Sequence, residues 1–246
     1  MNNPITQFNE ERNKSIASNG ENKQLIEAAG LFNYESNLAK YSYNFSWMGR
    51  PIIAYPQDMI AMQELIWDIK PDLIIETGVA HGGSIVYYAS LLELIGNNGL
   101  VVGIDIDIRK HNRDLIEAHP MMKRIQLIEG PSTSESVINQ VKAISEQKNR
   151  IMVCLDSNHT HEHVLEELKL YAPLTSPGSY CIVFDTIVEY LPDNYLEGGR
   201  PWGVGNNPKT AVLEYLNTHD EFEVDKSIDN KVLISVAPGG YLKRIR

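Results

Sequence analysis

The apolar positions change period along the chain, and the changes mark out a repeating unit. From Pro56 to Ile69 they fall at Met59, Ile60, Met62, Leu65, Ile66 and Ile69, the spacing of one helix face. The run Asp72-Leu-Ile-Ile-Glu76 that follows is short and apolar, and predicts a strand buried on both faces. The alternation then recurs. Helices are predicted over Ser84–Ile95, Arg109–His119, Thr133–Gln147 and His161–Tyr171, and strands over Leu100–Ile104, Arg124–Ile128, Ile151–Leu155 and Tyr180–Phe184. Further on, Pro208–Thr218 has helical spacing, with Pro208 in the first turn where its missing N–H costs nothing. Phe222–Asp225 and Lys231–Val236 read as two last strands, a hairpin around Asp229-Asn230. Strands alternating with helices predict an α/β fold: a doubly wound, mostly parallel seven-stranded sheet with helices on both faces.

Two segments break this pattern. Residues 1–20 are rich in Asn, Ser and Glu and are expected to fray, whereas 21–50 carry Phe32, Tyr34, Tyr41, Tyr43, Phe45 and Trp47, too aromatic for a linker. The chain therefore divides into an N-terminal appendage, 1–50, and a main domain, 51–246. The appendage is expected to pack on that domain or on another subunit, and the apolar patch it would otherwise expose points to a homo-oligomer. The second break is 187–207, with four glycines, two prolines and Trp202 but no periodicity. A loop this long in a compact domain is usually functional, and a lid is expected here.

Charge and composition narrow the function. With 22 basic against 32 acidic residues, the net charge of −10 argues against broad nucleic-acid binding, which rests on neutralising phosphates, and against docking on anionic membranes. No apolar run approaches the 18 or so residues that would span a bilayer, and the polar N-terminus lacks a secretory core, so a cytoplasmic protein is expected. Cys154 and Cys181 sit in apolar runs and read as buried thiols rather than a disulfide.

The candidate chemistry collects at one edge. Glu76, Asp105, Asp156 and Asp185 each close a predicted strand, and open α/β sheets bind ligands beyond the carboxyl ends of their strands. After the first strand comes Glu76-Thr-Gly78-Val-Ala80-His81-Gly82-Gly83-Ser84, a glycine-rich turn into a helix that matches neither G-x-G-x-x-G nor a P-loop. Its glycines allow close approach of backbone to a ligand, and the helix N-terminus offers free N–H groups to a carboxylate. Asp105, 22 residues beyond Gly83, can accept both hydroxyls of a ribose. S-adenosylmethionine fits such a site: Glu76 would face its ammonium and the glycine turn its carboxylate. The competing reading makes Gly78 a turn and Asp105 a cap. Ser132 borders an adenine in the first reading; in the second, Ser132 or Ser134 is a helix N-cap, with Glu135 completing a capping box. Asp156 and Asp185 on neighbouring strand ends can share Mg²⁺, and His159 can take a proton from a substrate hydroxyl; equally, the two acids may be read as loop caps. His161 and His163 read as a solvated helix start.

Several stretches resemble the cephalosporin hydroxylase family: Trp47-Met-Gly49, Ile74 to Ser84, Leu155 to His159, Pro177 to Tyr180 and Pro238 to Tyr241. The resemblance runs from about Trp47 to Leu242. Despite the family's name, it implies the fold of class I S-adenosylmethionine-dependent methyltransferases, similar to sugar and macrolide O-methyltransferases of natural-product biosynthesis. It implies Glu76, Gly78, Gly82, Gly83 and Ser84 as the cofactor loop, Asp105 as the ribose acid, and Asp156 with Asp185 as metal ligands. The departure is Phe184, where the family has Glu before Asp-Thr: a phenyl ring cannot ligate a cation, so the site is weakened or completed by Thr186 or Glu189. The order Asp156, His159, Asp185 also resembles catechol O-methyltransferases, which favours His159 as base. The function implied is methyl transfer to a hydroxyl of a small molecule, such as a sugar or glycoside. A non-catalytic nucleoside-binding subunit and a nicotinamide-dependent enzyme are the alternatives.

Overall fold

A computed structural model describes residues 3–192 and 199–246. Its main sheet has seven strands, in the order β5 (Ile125–Glu129), β4 (Leu100–Asp105), β3 (Leu73–Thr77), β6 (Ile151–Leu155), β7 (Tyr180–Val183), β9 (Tyr241–Arg244) and β8 (Phe222–Val224). Five are parallel: β3 (Leu73–Thr77), β4 (Leu100–Asp105), β5 (Ile125–Glu129), β6 (Ile151–Leu155) and β7 (Tyr180–Val183). The helices between them are α4 (Gly83–Ile95), α5 (Lys110–Glu117), α6 (Glu135–Ser145) and α7 (His161–Tyr171), preceded by α3 (Pro56–Ile69) and followed by α8 (Pro208–Leu216). Two apolar cores lie against the sheet. Ile74, Met152 and Ile182 face one; Ile75, Val153 and Cys181 face the other. Every residue of β3, β6 and β7 is buried, which is why their sequences are mostly apolar rather than alternating, with Glu76 and Thr77 of β3 the buried exceptions. Both cysteines are free and buried, as expected.

The far edge differs from the expected hairpin. β8 (Phe222–Val224) is present, but Lys226–Val232 forms α9, and the strand that inserts antiparallel between β7 and β8 is β9, Tyr241–Arg244. Asp225 caps α9, its carboxylate accepting from Ser227 N at 3.0 Å. The segment 235–237 is bound elsewhere: Ser235 Oγ (2.6 Å) and Val236 N (2.9 Å) both donate to the buried Asp58 of α3.

The N-terminal residues are also more regular than expected. Pro4–Asn19 is a helix, α1, capped by Asn3, where the polar composition pointed to fraying. α2 spans Lys23–Leu38, and β1 (Phe45–Trp47) pairs with β2 (Arg50–Ile52) as a small hairpin. Tyr41 ties this region to the main core through ring contacts with Phe32, Phe45 and Tyr55 at 5.1–5.7 Å.

The sheet aligns what matters for function. The chain runs outward from β3 to β5, then crosses back to β6, so the strand order reverses between β3 and β6. Backbone bonds stitch the strand ends there: Gly78 N to Ile104 O (2.7 Å), Asp156 N to Thr77 O (2.9 Å) and Phe184 N to Leu155 O (3.0 Å). The carboxyl ends of β3, β6 and β7 thus lie level, at the crevice where such sheets take ligands. Among the described residues no helix is long and apolar enough to cross a membrane.

Candidate active site

The glycine turn after β3 is shaped by what presses on it. Gly78 has φ +93°, and a Cβ there would collide with the carbonyl oxygen of Asp156; one on Gly83 would collide with that of Pro51. Asp105 holds the turn from the side: its Oδ2 accepts from Val79 N (2.8 Å) and Ala80 N (3.2 Å), and its Oδ1 from Asp107 N (3.2 Å). Arg50 holds it from the hairpin, donating through Nε (2.9 Å) and Nη2 (2.5 Å) to the His81 carbonyl and through Nη2 to Asn112 Oδ1 (3.0 Å). Burial lowers the pKa of this guanidinium. Sequence reasoning missed Arg50, although it directly follows the Trp47-Met-Gly49 stretch.

Glu76 lies fully buried beneath the turn. Its Oε2 accepts from Ser84 Oγ at 2.7 Å, while among the described residues Oε1 has no donor in hydrogen-bonding geometry. Burial pushes its pKa up to about 8; Ser84 and the nearby Tyr88 hydroxyl ease the charge, and Asp105 adds repulsion. A buried carboxylate with an unused oxygen fits a cationic ligand group such as an ammonium.

An open cleft of about 240 Å³ runs along this edge. Gly78, Ala80, His81, Gly83 and Ser84 line it on the turn side, and Asp156, Ser157, His159 and Asp185 at the strand ends. Gly82, Asp105 and Ser132 do not line it. Glu76 borders a smaller adjoining pocket, which shares Ser84 and Asp156 with the cleft and also touches Asp58, Tyr88 and Phe184.

Asp156, His159 and Asp185 converge. One ligand atom from each lies within 4.8 Å of the others, and His159 Nε2 stands 3.0 Å from Asp185 Oδ2. Asp185 is reached through a left-handed backbone, φ 54°, unusual for a residue other than glycine and tolerated here because the strand end and the following turn hold it. Burial raises the pKa of Asp156 well above the carboxylate range, and the charges of Asp185, Glu76 and Glu167 add to it. Two carboxylates that repel one another beside an imidazole are a donor set suited to a divalent cation. Phe184 takes no part: it is buried in the core. Neither proposed substitute reaches the cluster. Thr186 Oγ1 donates to Pro238 O (3.0 Å), and Glu189 accepts from Gly205 N (2.9 Å) and from Asn207 Nδ2, tying down the loop beyond.

Of the expected lid, residues 193–198 lie outside the described residues. Its later part is in place: the Trp202 ring meets His159 edge-on at 4.9 Å, and Arg200 stands 5.4 Å from the Trp202 ring centre. Ser132 and the histidines of α7 differ from expectation. No capping box forms; Ser134 precedes α6 with its Oγ turned to Pro131 O (2.8 Å). Ser132 Oγ and Ser157 Oγ instead meet His163 Nε2 at 3.3 and 3.1 Å, and Ser157 donates to the buried Glu167 at 2.7 Å. His161 joins Thr210 (2.8 Å) and Glu214 (3.2 Å) rather than standing in solvent alone.

Comparison with known proteins agrees with this geometry. Residues 39–245 match the family described as rhamnosyl O-methyltransferase/CmcI. The rhamnosyl O-methyltransferase of Mycobacterium tuberculosis is 31% identical over 194 residues, 76% of this chain and 73% of the relative. That of Mycobacterium leprae is 30% identical over 201 residues, 81% and 82% of the two chains. Among solved structures, the apo form of CmcI and a CmcI structure with Mg and SAM each give a TM-score of 0.59 at 21% identity, covering 83% of this chain and 77% and 78% of theirs, a likeness of fold. The chain therefore belongs to the rhamnosyl O-methyltransferase/CmcI family and is, with it, an S-adenosylmethionine-dependent O-methyltransferase.

Proposed function

We propose that the chain methylates a sugar hydroxyl, on a rhamnosyl residue or a related glycoside, with His159 as general base. The observation that carries this reading is the meeting of Asp156, His159 and Asp185 at strand ends beside the glycine turn. The names of the relatives support the sugar. The turn from Gly78 to Ser84 and the buried Glu76 hold the donor by its amino-acid end. Asp105, whose Oδ1 accepts a single backbone N–H, keeps a lone pair on that oxygen for a ribose hydroxyl.

The donor supplies an electrophilic methyl group on a sulfonium, and the chain supplies position and a proton acceptor. Asp185 sits on His159 Nε2, which fixes that nitrogen as the donor to the carboxylate and leaves Nδ1 to take the hydroxyl proton. The Trp202 edge restrains the imidazole ring. Asp156 and Asp185 hold either Mg²⁺, which would acidify a bound hydroxyl, or the substrate hydroxyls directly. Much of the rate comes from keeping oxygen and methyl in line.

Two statements reach further. The chain acts as a homo-oligomer, supported by α1, where no residue is buried and Ile5 and Phe8 are 70% and 63% exposed; light scattering at the monomer mass would exclude it. The site takes a divalent cation, tested by calorimetric titration with S-adenosylhomocysteine in Mg²⁺ and in EDTA. Micromolar binding is expected, tighter with Mg²⁺. Equal binding in both would remove the metal, and no binding in either would sink the whole reading.

A further inference from the structure

The N-terminal segment before the β1–β2 hairpin reaches the active site. Asn37, at the end of α2, lines the cleft together with Ser42 and Tyr43 from the turn that follows. These three are a carboxamide, a hydroxyl and a phenol, all neutral hydrogen-bonding groups.

Their position is set by packing. The Ser42 carbonyl accepts from Ala54 N (3.2 Å), and Pro51–Ile53 continue the wall to the glycine turn, where the Pro51 carbonyl abuts Gly83. Asn37 is held by its own amide: Nδ2 donates to Asn33 O (2.8 Å) and to Tyr55 Oη (3.1 Å), and Tyr55 Oη also bonds Ser36 Oγ (2.6 Å). Tyr55 is fully buried and anchors the end of α2 from below. Asn37, Ser42 and Tyr43 thus line the same cleft as Asp156, His159 and Asp185. Tyr43 is half exposed and stands at the rim.

We propose that Asn37, Ser42 and Tyr43 form the acceptor-recognition wall, binding sugar hydroxyls next to the one that is methylated. This rests on the sugar methylation proposed above and adds the residues that select the acceptor. A sugar ring offers several neutral hydroxyls around a small apolar face. Trp202 can cover the face, but ring hydroxyls taken out of water need neutral donors and acceptors, and the wall supplies them.

The test uses the full chain with S-adenosylmethionine and three acceptors: methyl α-L-rhamnoside, methyl α-D-glucoside and catechol. Ser42→Ala, Tyr43→Phe and Asn37→Ser are compared with wild type for acceptor KM, kcat and S-adenosylhomocysteine affinity. Each lost neutral hydrogen bond should raise the glycoside KM about three- to tenfold. kcat and product affinity should stay within about twofold. Tyr43→Phe keeps the ring of a half-exposed residue, so it remains informative even where Asn37→Ser lowers the melting temperature. An unchanged glycoside KM in all three variants overturns the wall and leaves the methylation reading standing, as does an equal loss of product affinity. A wild type that methylates only catechol, or none of the three, overturns the sugar reading and the wall with it.

Discussion

Replacing Glu76 by Gln should strengthen the fold and weaken the donor site together. The side chain is fully buried, with one oxygen on Ser84 and the other without a donor, and its pKa is pushed up from the ordinary 4.5 to about 8. Below pH 4.5 the acid is protonated folded or unfolded and nothing is lost. As pH rises from 4.5 to 8, the unfolded chain gives up the proton while the folded chain keeps it, so stability falls throughout that window. Some 3.5 pH units at about 1.36 kcal/mol each set the loss at roughly 5 kcal/mol by pH 8, for the protein without ligand. Glutamine has nearly the same shape and no charge. Its stability relative to wild type should be near zero at pH 4.5 and rise by several kcal/mol at pH 8. For a chain of this size each kcal/mol moves the melting temperature by about 2–4 °C, so urea or thermal unfolding at the two pH values will resolve it. Binding should move the other way. If Glu76 pairs with the donor's ammonium, the ligand draws it into its charged form. Titration with S-adenosylhomocysteine near pH 7 should release protons in wild type and bind more weakly without release in the variant. A stability difference independent of pH, or a variant less stable at pH 8, would refute the buried-acid argument. Unchanged affinity would refute the ammonium role alone.

His159→Ala should lower turnover about 10²- to 10⁴-fold while leaving S-adenosylhomocysteine affinity intact; unchanged turnover removes it as the base. Gly78→Ala should cost about 2–5 kcal/mol in urea unfolding, since φ +93° and the Asp156 carbonyl both oppose a Cβ; a cost below 1 kcal/mol would show that the turn relaxes freely. Glu189→Gln should loosen Gly205 and Asn207, and with them Trp202, raising acceptor KM about threefold; a variant that instead loses its response to Mg²⁺ would return Glu189 to the cation site.

What the sequence determined by itself is the part governed by local pattern. Leu73–Thr77, Leu100–Asp105, Ile151–Leu155 and Tyr180–Val183 announce themselves because strands covered on both faces read as apolar runs rather than alternating. The acids were legible because they break those runs at or near their carboxyl ends. The motif from Glu76 to Ser84 carried the family. What tertiary structure decided is everything that depends on a partner distant in sequence. Lys226–Val232 became a helix and Tyr241–Arg244 the inserted strand because Asp225 caps one and Asp58, more than 170 residues earlier, holds Ser235 and Val236 away from the sheet. Asp105 holds Val79 and Ala80 of the glycine turn, contacts that no spacing announced, and Glu189 holds the loop rather than a cation. Arg50, Asn37 and Tyr43 joined the site without any motif, since a cleft wall needs only side chains that arrive there, and hydrophobic periodicity carries no record of which segments will meet.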